Sequence, residues 1–176
     1  MRKIISLTVF VFILNIGFSQ FIGNSKSINW ISFEELEAKI KVAPRKVIVD
    51  LYTVWCGPCK RMDMYTFHNP VIVKYINENY YAVKFNAEDK RTINFMNQEF
   101  KYVAENGRGI NQLAGVFIQN NAFPSVTFMD EKLKVLQKFN YVDAKNMELI
   151  MTYFGEDKFK TQKWDEFVNT FKSQLE

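Results

Sequence analysis

The chain carries two cysteines in 176 residues, Cys56 and Cys59, two residues apart in Val54-Trp55-Cys56-Gly57-Pro58-Cys59-Lys60. A pair at this spacing can exchange disulfides. One thiolate attacks a partner's disulfide, and the second attacks the mixed disulfide and releases the partner. The thiolate, not the thiol, is the nucleophile, so the site must stabilise it. The flanking residues provide the means. Val47-Ile48-Val49-Asp50-Leu51-Tyr52 is short, apolar and rich in β-branched residues, and reads as a buried strand. Lys60 to Tyr65 contains no Gly or Pro and reads as a helix. The cysteines therefore fall where a strand turns into a helix. There, unpaired backbone N–H groups and the positive end of the helix dipole favour a thiolate. Cys56 is expected as the exposed nucleophile and Cys59, one turn deeper, as the resolving thiol. A purely structural disulfide over so short a loop would constrain the unfolded chain little. A zinc site wants four ligands, and His68 is the single histidine. No metal is expected, and no cofactor beyond a redox-active Cys56–Cys59 disulfide.

Other residues could serve this chemistry. Asp50 lies inside the apolar run. Facing inward, it would be desolvated, with a raised pKa suited to proton exchange near neutrality. Facing outward, it would be a strand residue in water. Val49 and Leu51 on the opposite face favour the inward placement. Lys84 sits in a second alternating run, Tyr81 to Phe85, where it could equally be a solvated charge. Trp55 would form part of an apolar platform around the sulfurs. His68 falls at the far end of the active-site helix, which suits a surface or capping role.

From these residues the sequence resembles the thioredoxin superfamily, since Trp55-Cys56-Gly57-Pro58-Cys59-Lys60 is similar to its active-site hexapeptide. Asp50-Leu51-Tyr52, Tyr65-Thr66-Phe67, Asn69-Pro70 and Val83-Lys84-Phe85-Asn86-Ala87 resemble one branch more closely. This is the periplasmic thioredoxin-like domain of the thiol:disulfide interchange proteins (DsbD type), which pass electrons outward across bacterial inner membranes. The resemblance covers roughly residues 30–150 and is absent from the last twenty residues. It implies an α/β thioredoxin fold, a central mixed β-sheet flanked by helices. Asp50 matches the carboxylate that relays a proton to or from the resolving cysteine, and Lys84 the lysine that pairs with it. Phe123-Pro124-Ser125 resembles the family's cis-proline turn, against which a substrate strand can pair by β-addition. Phe123 replaces the usual Ile, Thr or Val, which leaves partner choice open. An ordinary trans-proline loop is the alternative. Trp55, Gly57, Pro58, Phe123 and Pro124 are thus the candidate substrate-binding residues. By the same resemblance, Gly57-Pro58 is the dipeptide of reducing thioredoxins, and no histidine inside the motif adds stabilisation to the thiolate. That combination favours a protein-disulfide reductase acting on disulfide-containing proteins. An oxidase or isomerase is the alternative, as is a peptide-binding module with incidental cysteines.

Hydrophobic residues make up 48% of the chain, enough for one domain with a core, and aromatics 16%, with 17 Phe. Residues 1–19 read as a signal peptide, with basic Arg2 and Lys3, an apolar run from Ile4 to Phe18 and small Gly17 and Ser19 before a cleavage site at Gln20. Retention as an inner-membrane anchor is the alternative, for which the apolar run is short. Export to the periplasm is expected, with a membrane dithiol as electron donor. Without Arg2 and Lys3 there are 21 basic and 19 acidic residues, a net of +2, too weak and mixed for nucleic acid. A monomer is expected.

Residues 20–29 read as a flexible lead-in, followed by the thioredoxin-like domain over 30–176. Ser32 and Glu35 form a capping box for a helix reaching about Val42. Asn69 caps another helix, with Pro70 in its first position. Tyr81–Phe85 is expected to lie parallel to the first strand through a βαβ crossover. An insertion occupies about 88–122. Thr92–Met96 and Glu99–Val103 alternate around Asn97-Gln98, which suggests a β-hairpin, with a helix as the alternative. Gly107-Arg108-Gly109 reads as a break, and Ile110–Gln119 as a helix closed by Asn120-Asn121. Ser125–Met129 and Leu133–Phe139 read as antiparallel strands, and Asp143 opens a further helix. In the extension, about 156–176, Trp164, Phe167, Val168 and Phe171 form a helical stripe expected to pack on the domain.

Overall fold

A computed structural model gives the fold and describes residues 26–105 and 107–175. The expected signal peptide, 1–19, lies outside the described residues, as do 20–25 of the lead-in. The remaining lead-in departs from the loose segment expected. Ile28 is buried in the core, and the Asn77 side chain accepts from Asn29 N–H and donates to the Ser27 carbonyl.

Five strands make one mixed sheet in the order β1 (Trp30–Ile31), β3 (Tyr80–Asn86), β2 (Lys46–Tyr52), β8 (Ser125–Met129), β9 (Val135–Phe139). β1, β3 and β2 are parallel, and β8 and β9 run antiparallel. β2 is central and buried from Lys46 to Leu51, because side chains alternate and both faces are covered. Val47, Val49 and Leu51 face a core shared with α1 (Phe33–Val42) and α4 (Gln112–Phe117). Ile48 faces the other core, built from α2 (Gly57–Met62), α3 (Pro70–Asn79) and α5 (Ala144–Gly155). Asp50, two residues on from Ile48, points to that second face.

Local signals hold where the pattern is local. Ser32 and Glu35 close a reciprocal capping box on α1, and the Asn69 side chain accepts from Val71 and Ile72 N–H at the start of α3. Between α2 and α3 a π-helical turn, Asp63–Phe67, shifts the register of the helix. His68 ends that turn, exposed, with Nδ1 2.7 Å from the Asp63 carbonyl.

The insertion differs from expectation. The hairpin exists as β4 (Ile93–Phe95) and β5 (Gln98–Phe100), but its turn is Met96-Asn97, one residue early, with both residues at positive φ. A second hairpin, β6 (Tyr102–Glu105) with β7 (Arg108–Asn111), replaces the expected break at Gly107–Gly109 and the start of the expected helix. At Gly109 in β7 a Cβ would clash with the Val103 carbonyl oxygen, so only glycine fits there. The helix is only α4, and Asn111 is its N-cap. Asn120 and Asn121 are not its C-cap. They form a tight turn, both at positive φ, between bridged Gln119 and Ala122. Phe33 fastens α1 to sheet and insertion, with ring centroids 5.2 Å from Phe85, 4.9 Å from Phe95 and 5.1 Å from Phe117. In the extension, α6 (Trp164–Thr170) buries Phe167 and sets the Trp164 ring against Tyr153 of α5, while Trp164 and Val168 of the expected stripe stay partly exposed. Among the described residues no helix is long and apolar enough to cross a membrane.

Candidate active site

The strand β2 ends at Tyr52, and Thr53, Val54 and Trp55 turn the chain into α2. Cys56 is the N-cap of that helix. Its Sγ accepts a hydrogen bond from Cys59 N–H at 3.1 Å, which gives sulfur the role that a serine or aspartate oxygen usually fills. The same donor would stabilise a thiolate once the disulfide opens. Gly57 and Pro58 form the exposed first turn. Cys56 and Cys59 are bonded to each other. They are 3% and 5% exposed, so the expectation of an exposed Cys56 is corrected. The side chain beside it, Trp55, is 64% exposed.

Trp55 is held from two sides. Its indole N–H donates to Glu88 Oε1 at 2.9 Å, and its ring meets Phe123 edge-on with centroids 6.1 Å apart. The Phe123–Pro124 peptide bond is cis, and Asn140 Nδ2 donates to the Pro124 carbonyl at 3.3 Å. Phe123 and Pro124 are thereby brought beside the cysteine turn, although the chain separates them from Cys59 by more than sixty residues.

Beneath the disulfide lies a cavity of about 310 Å³ whose walls include Asp50, Thr53, Cys59, Asp63 and Lys84. Asp50 is 2% exposed, and its Oδ1 makes no hydrogen bond among the described residues. Burial pushes this carboxyl up to about 7, against the pull of Lys84 and with a further push from Asp63. Lys84 stands opposite Asp50 in the parallel register, with Nζ 3.9 Å from Asp50 Oδ2. Its hydrogen bond, however, goes to Asp63. The expected pairing of Lys84 with Asp50 is thus present as a long ion pair without a hydrogen bond. Among the described residues no group of side chains is arranged to hold a metal ion.

A cysteine pair capping a helix over a buried carboxyl, in a sheet of this order, can now be set beside known proteins. The family described as Thioredox_DsbH, a protein of unknown function, DUF255, matches residues 19–170. The chain belongs to this DsbH-type thioredoxin-like family. A thioredoxin-fold protein from Helicobacter pylori superposes with a TM-score of 0.57 at 15% identity, over 85% of this chain and 89% of that one. A DsbH oxidoreductase superposes with a TM-score of 0.52 at 15% identity, over 73% of this chain and 85% of that one. A thioredoxin from Thermus thermophilus gives 0.51 at 14% identity, over 75% and 93%. At such identities these likenesses establish the fold. No curated protein matches the sequence. This DsbH-type protein is thioredoxin-like, with its CxxC cysteines joined.

Two site residues of the DsbH-type chain escaped the sequence reading. Asp63 comes four residues after Cys59, and this i, i+4 spacing puts the two on one helix face; that signal was available. Glu88, the acceptor for Trp55, sits in the loop after β3, where no local pattern marks it.

Proposed function

We propose that the protein is an exported protein-disulfide reductase. The observation that carries this reading is the shared cavity of Cys59 and the buried Asp50 beneath a helix-capping Cys56. In the dithiol form, the Cys56 thiolate attacks a substrate disulfide. One substrate sulfur leaves as a thiolate, and the other stays bonded to Cys56. Asp50 takes the proton of Cys59, the Cys59 thiolate attacks Cys56 Sγ, and the second substrate sulfur leaves. The substrate gains two electrons and, from solvent and the protein, two protons. The protein is left with the Cys56–Cys59 disulfide. A membrane dithiol of lower potential would restore it and be oxidised in turn.

Gly57-Pro58 adds no charge near the sulfurs, and His68 lies beyond the far end of α2. A thiolate without extra cationic support makes a weakly oxidising disulfide. Export is supported by the basic-apolar-small order of residues 1–19. The exposed Trp55 and its neighbour Phe123 would form the apolar part of the substrate platform, with the Phe123 backbone pairing to an extended substrate segment. The protein would act as a monomer.

The reduction potential of the Cys56–Cys59 pair, equilibrated in dithiothreitol or glutathione buffers, tests the direction. A value near about −270 mV supports a reductase; one near about −120 to −180 mV overturns it in favour of an oxidase or isomerase. The Cys56→Ser/Cys59→Ser double variant must lose turnover. A variant that kept it would overturn exchange altogether in favour of a binding module.

A further inference from the structure

Lys84 pairs with Asp50 only at long range and gives its hydrogen bond elsewhere. The two residues face each other across β2 and β3 and point to the same side of the sheet. Yet the ammonium stops 3.9 Å from Asp50 Oδ2 and gives its hydrogen bond to Asp63 Oδ1. Two rings fix its position, with Nζ 5.5 Å from the Trp30 centroid and 5.4 Å from that of Tyr52. Asp63 enters the π-helical turn, on the rim of the cavity, where its side chain is partly in water. Asp50 remains on the floor with one oxygen lacking any hydrogen bond among the described residues.

We propose that Asp63 is a positioning residue: by holding Lys84 at the rim, it keeps the Lys84–Asp50 ion pair long and denies Asp50 a hydrogen-bonding cation, which leaves that carboxylate able to take the Cys59 proton. An ammonium in hydrogen-bond contact would favour the ionised carboxylate and make it a weaker base. Asp63 prevents this because a half-hydrated carboxylate can pair with lysine without the desolvation cost of a fully buried pair. The charged and titratable groups around Asp50 are Tyr52 from the end of β2, Lys84 from β3, Asp63 from the π turn, and Cys59 and Lys60 from α2. His68 approaches the Asp63 backbone from the end of the turn, while β8 sets apolar Val126 opposite Asp50. Lys84 and Asp63 are therefore the pair that can set the basicity of Asp50. This inference rests on the reading of Asp50 as proton acceptor for Cys59.

The test is a carboxyl-carbon NMR titration of Asp50 in the oxidised full chain, run for wild type, Asp63→Asn, Asp63→Glu, Lys84→Met and the Asp63→Asn/Lys84→Met double variant. Asp63→Asn frees Lys84 to move onto Asp50, so the Asp50 midpoint should fall by about one pH unit. Asp63→Glu should stay near wild type. In the Lys84→Met background the effect of Asp63→Asn should shrink to a small residue of direct repulsion. An unmoved or raised midpoint in Asp63→Asn overturns the proposal. So does an equal fall in both backgrounds, because Asp63 would then act without Lys84. The pH profile of disulfide reduction, measured on the same variants, separates the two readings. If the Asp50 midpoint moves as stated and the rate profile does not follow, the positioning stands and the catalytic role of Asp50 fails.

Discussion

Two lysines lie at opposite ends of the same central sheet, each between two carboxylates, and the two triads behave differently. Lys46, at the start of β2, lies 2.7 Å from Glu131 and 3.0 Å from Asp157. Burial alone would pull its ammonium down, but the two carboxylates more than offset this and leave it raised. Its contact holds Glu131 below the usual carboxylate range. Burial works against Asp157, yet Lys46 and Lys160 bring it down as well. This end is a clamp that ties β2 to the β8–β9 turn and to the start of the extension. At the other end, Lys84 gives its hydrogen bond to Asp63 and pairs with Asp50 only at 3.9 Å. The carboxyl left over is the most buried of the four, and it is pushed up to about 7. Similar residue types thus give a structural tie where both acids reach water and a buried carboxyl with a raised pKa where one does not.

The largest effect that would break this comparison is on rate. Asp50→Asn should slow disulfide reduction about 10²- to 10⁴-fold at neutral pH, the range for losing a positioned general base. Glu131→Gln should leave it unchanged. A small loss in Asp50→Asn, by a disulfide-reduction assay across pH 5–9, would reduce Asp50 to a structural residue.

The next effect concerns stability against pH, where the two ends should carry opposite signs. Asp50 has a raised pKa in the folded chain, so its contribution is fully present below the unfolded value near 4. It is lost as pH rises toward 7. Above that, wild type should be less stable than Asp50→Asn by up to ~4 kcal/mol, measured by denaturant unfolding of the oxidised protein. Glu131 and Asp157 are lowered in the fold. Their contribution is present above the unfolded carboxylate range and is lost as pH falls below it. A common sign at both ends would remove the distinction.

A smaller loss is expected for Lys46→Met, about 1–3 kcal/mol in urea unfolding, because both partners keep part of their hydration when the cation is removed. Its exchange rate should stay at wild type. The smallest effect lies outside both triads. Glu88→Ala removes one hydrogen bond from the exposed Trp55, worth about 0.5–1.5 kcal/mol. A several-fold rise in KM at unchanged kcat would place Trp55 in the substrate platform. A change in kcat would give it another role.

What the sequence alone determined is what neighbouring residues decide. Cys56 and Cys59 at a strand-to-helix turn, the Ser32–Glu35 box, the Asn69-Pro70 start and the parallel pairing of β2 with β3 each follow from spacing within a few residues or from one alternating run. The inward face of Asp50 was legible for the same reason. The second hairpin was only half visible. Asn106-Gly107 is a strong two-residue turn signal between Tyr102–Glu105 and Arg108–Asn111, but the glycines also read as a break. The tertiary structure decided the rest. Whether Lys84 gives its hydrogen bond to Asp50 or to Asp63 depends on where the π turn sets Asp63 relative to β3, and no local pattern encodes that placement. Lys46 finds Glu131 and Asp157 from 85 and 111 residues away. The burial of Cys56 depends on how the turn around it folds. Charges and sulfurs get their chemistry from the distance to the next charge and from their access to water, and those two quantities are set by packing between segments rather than by order along the chain.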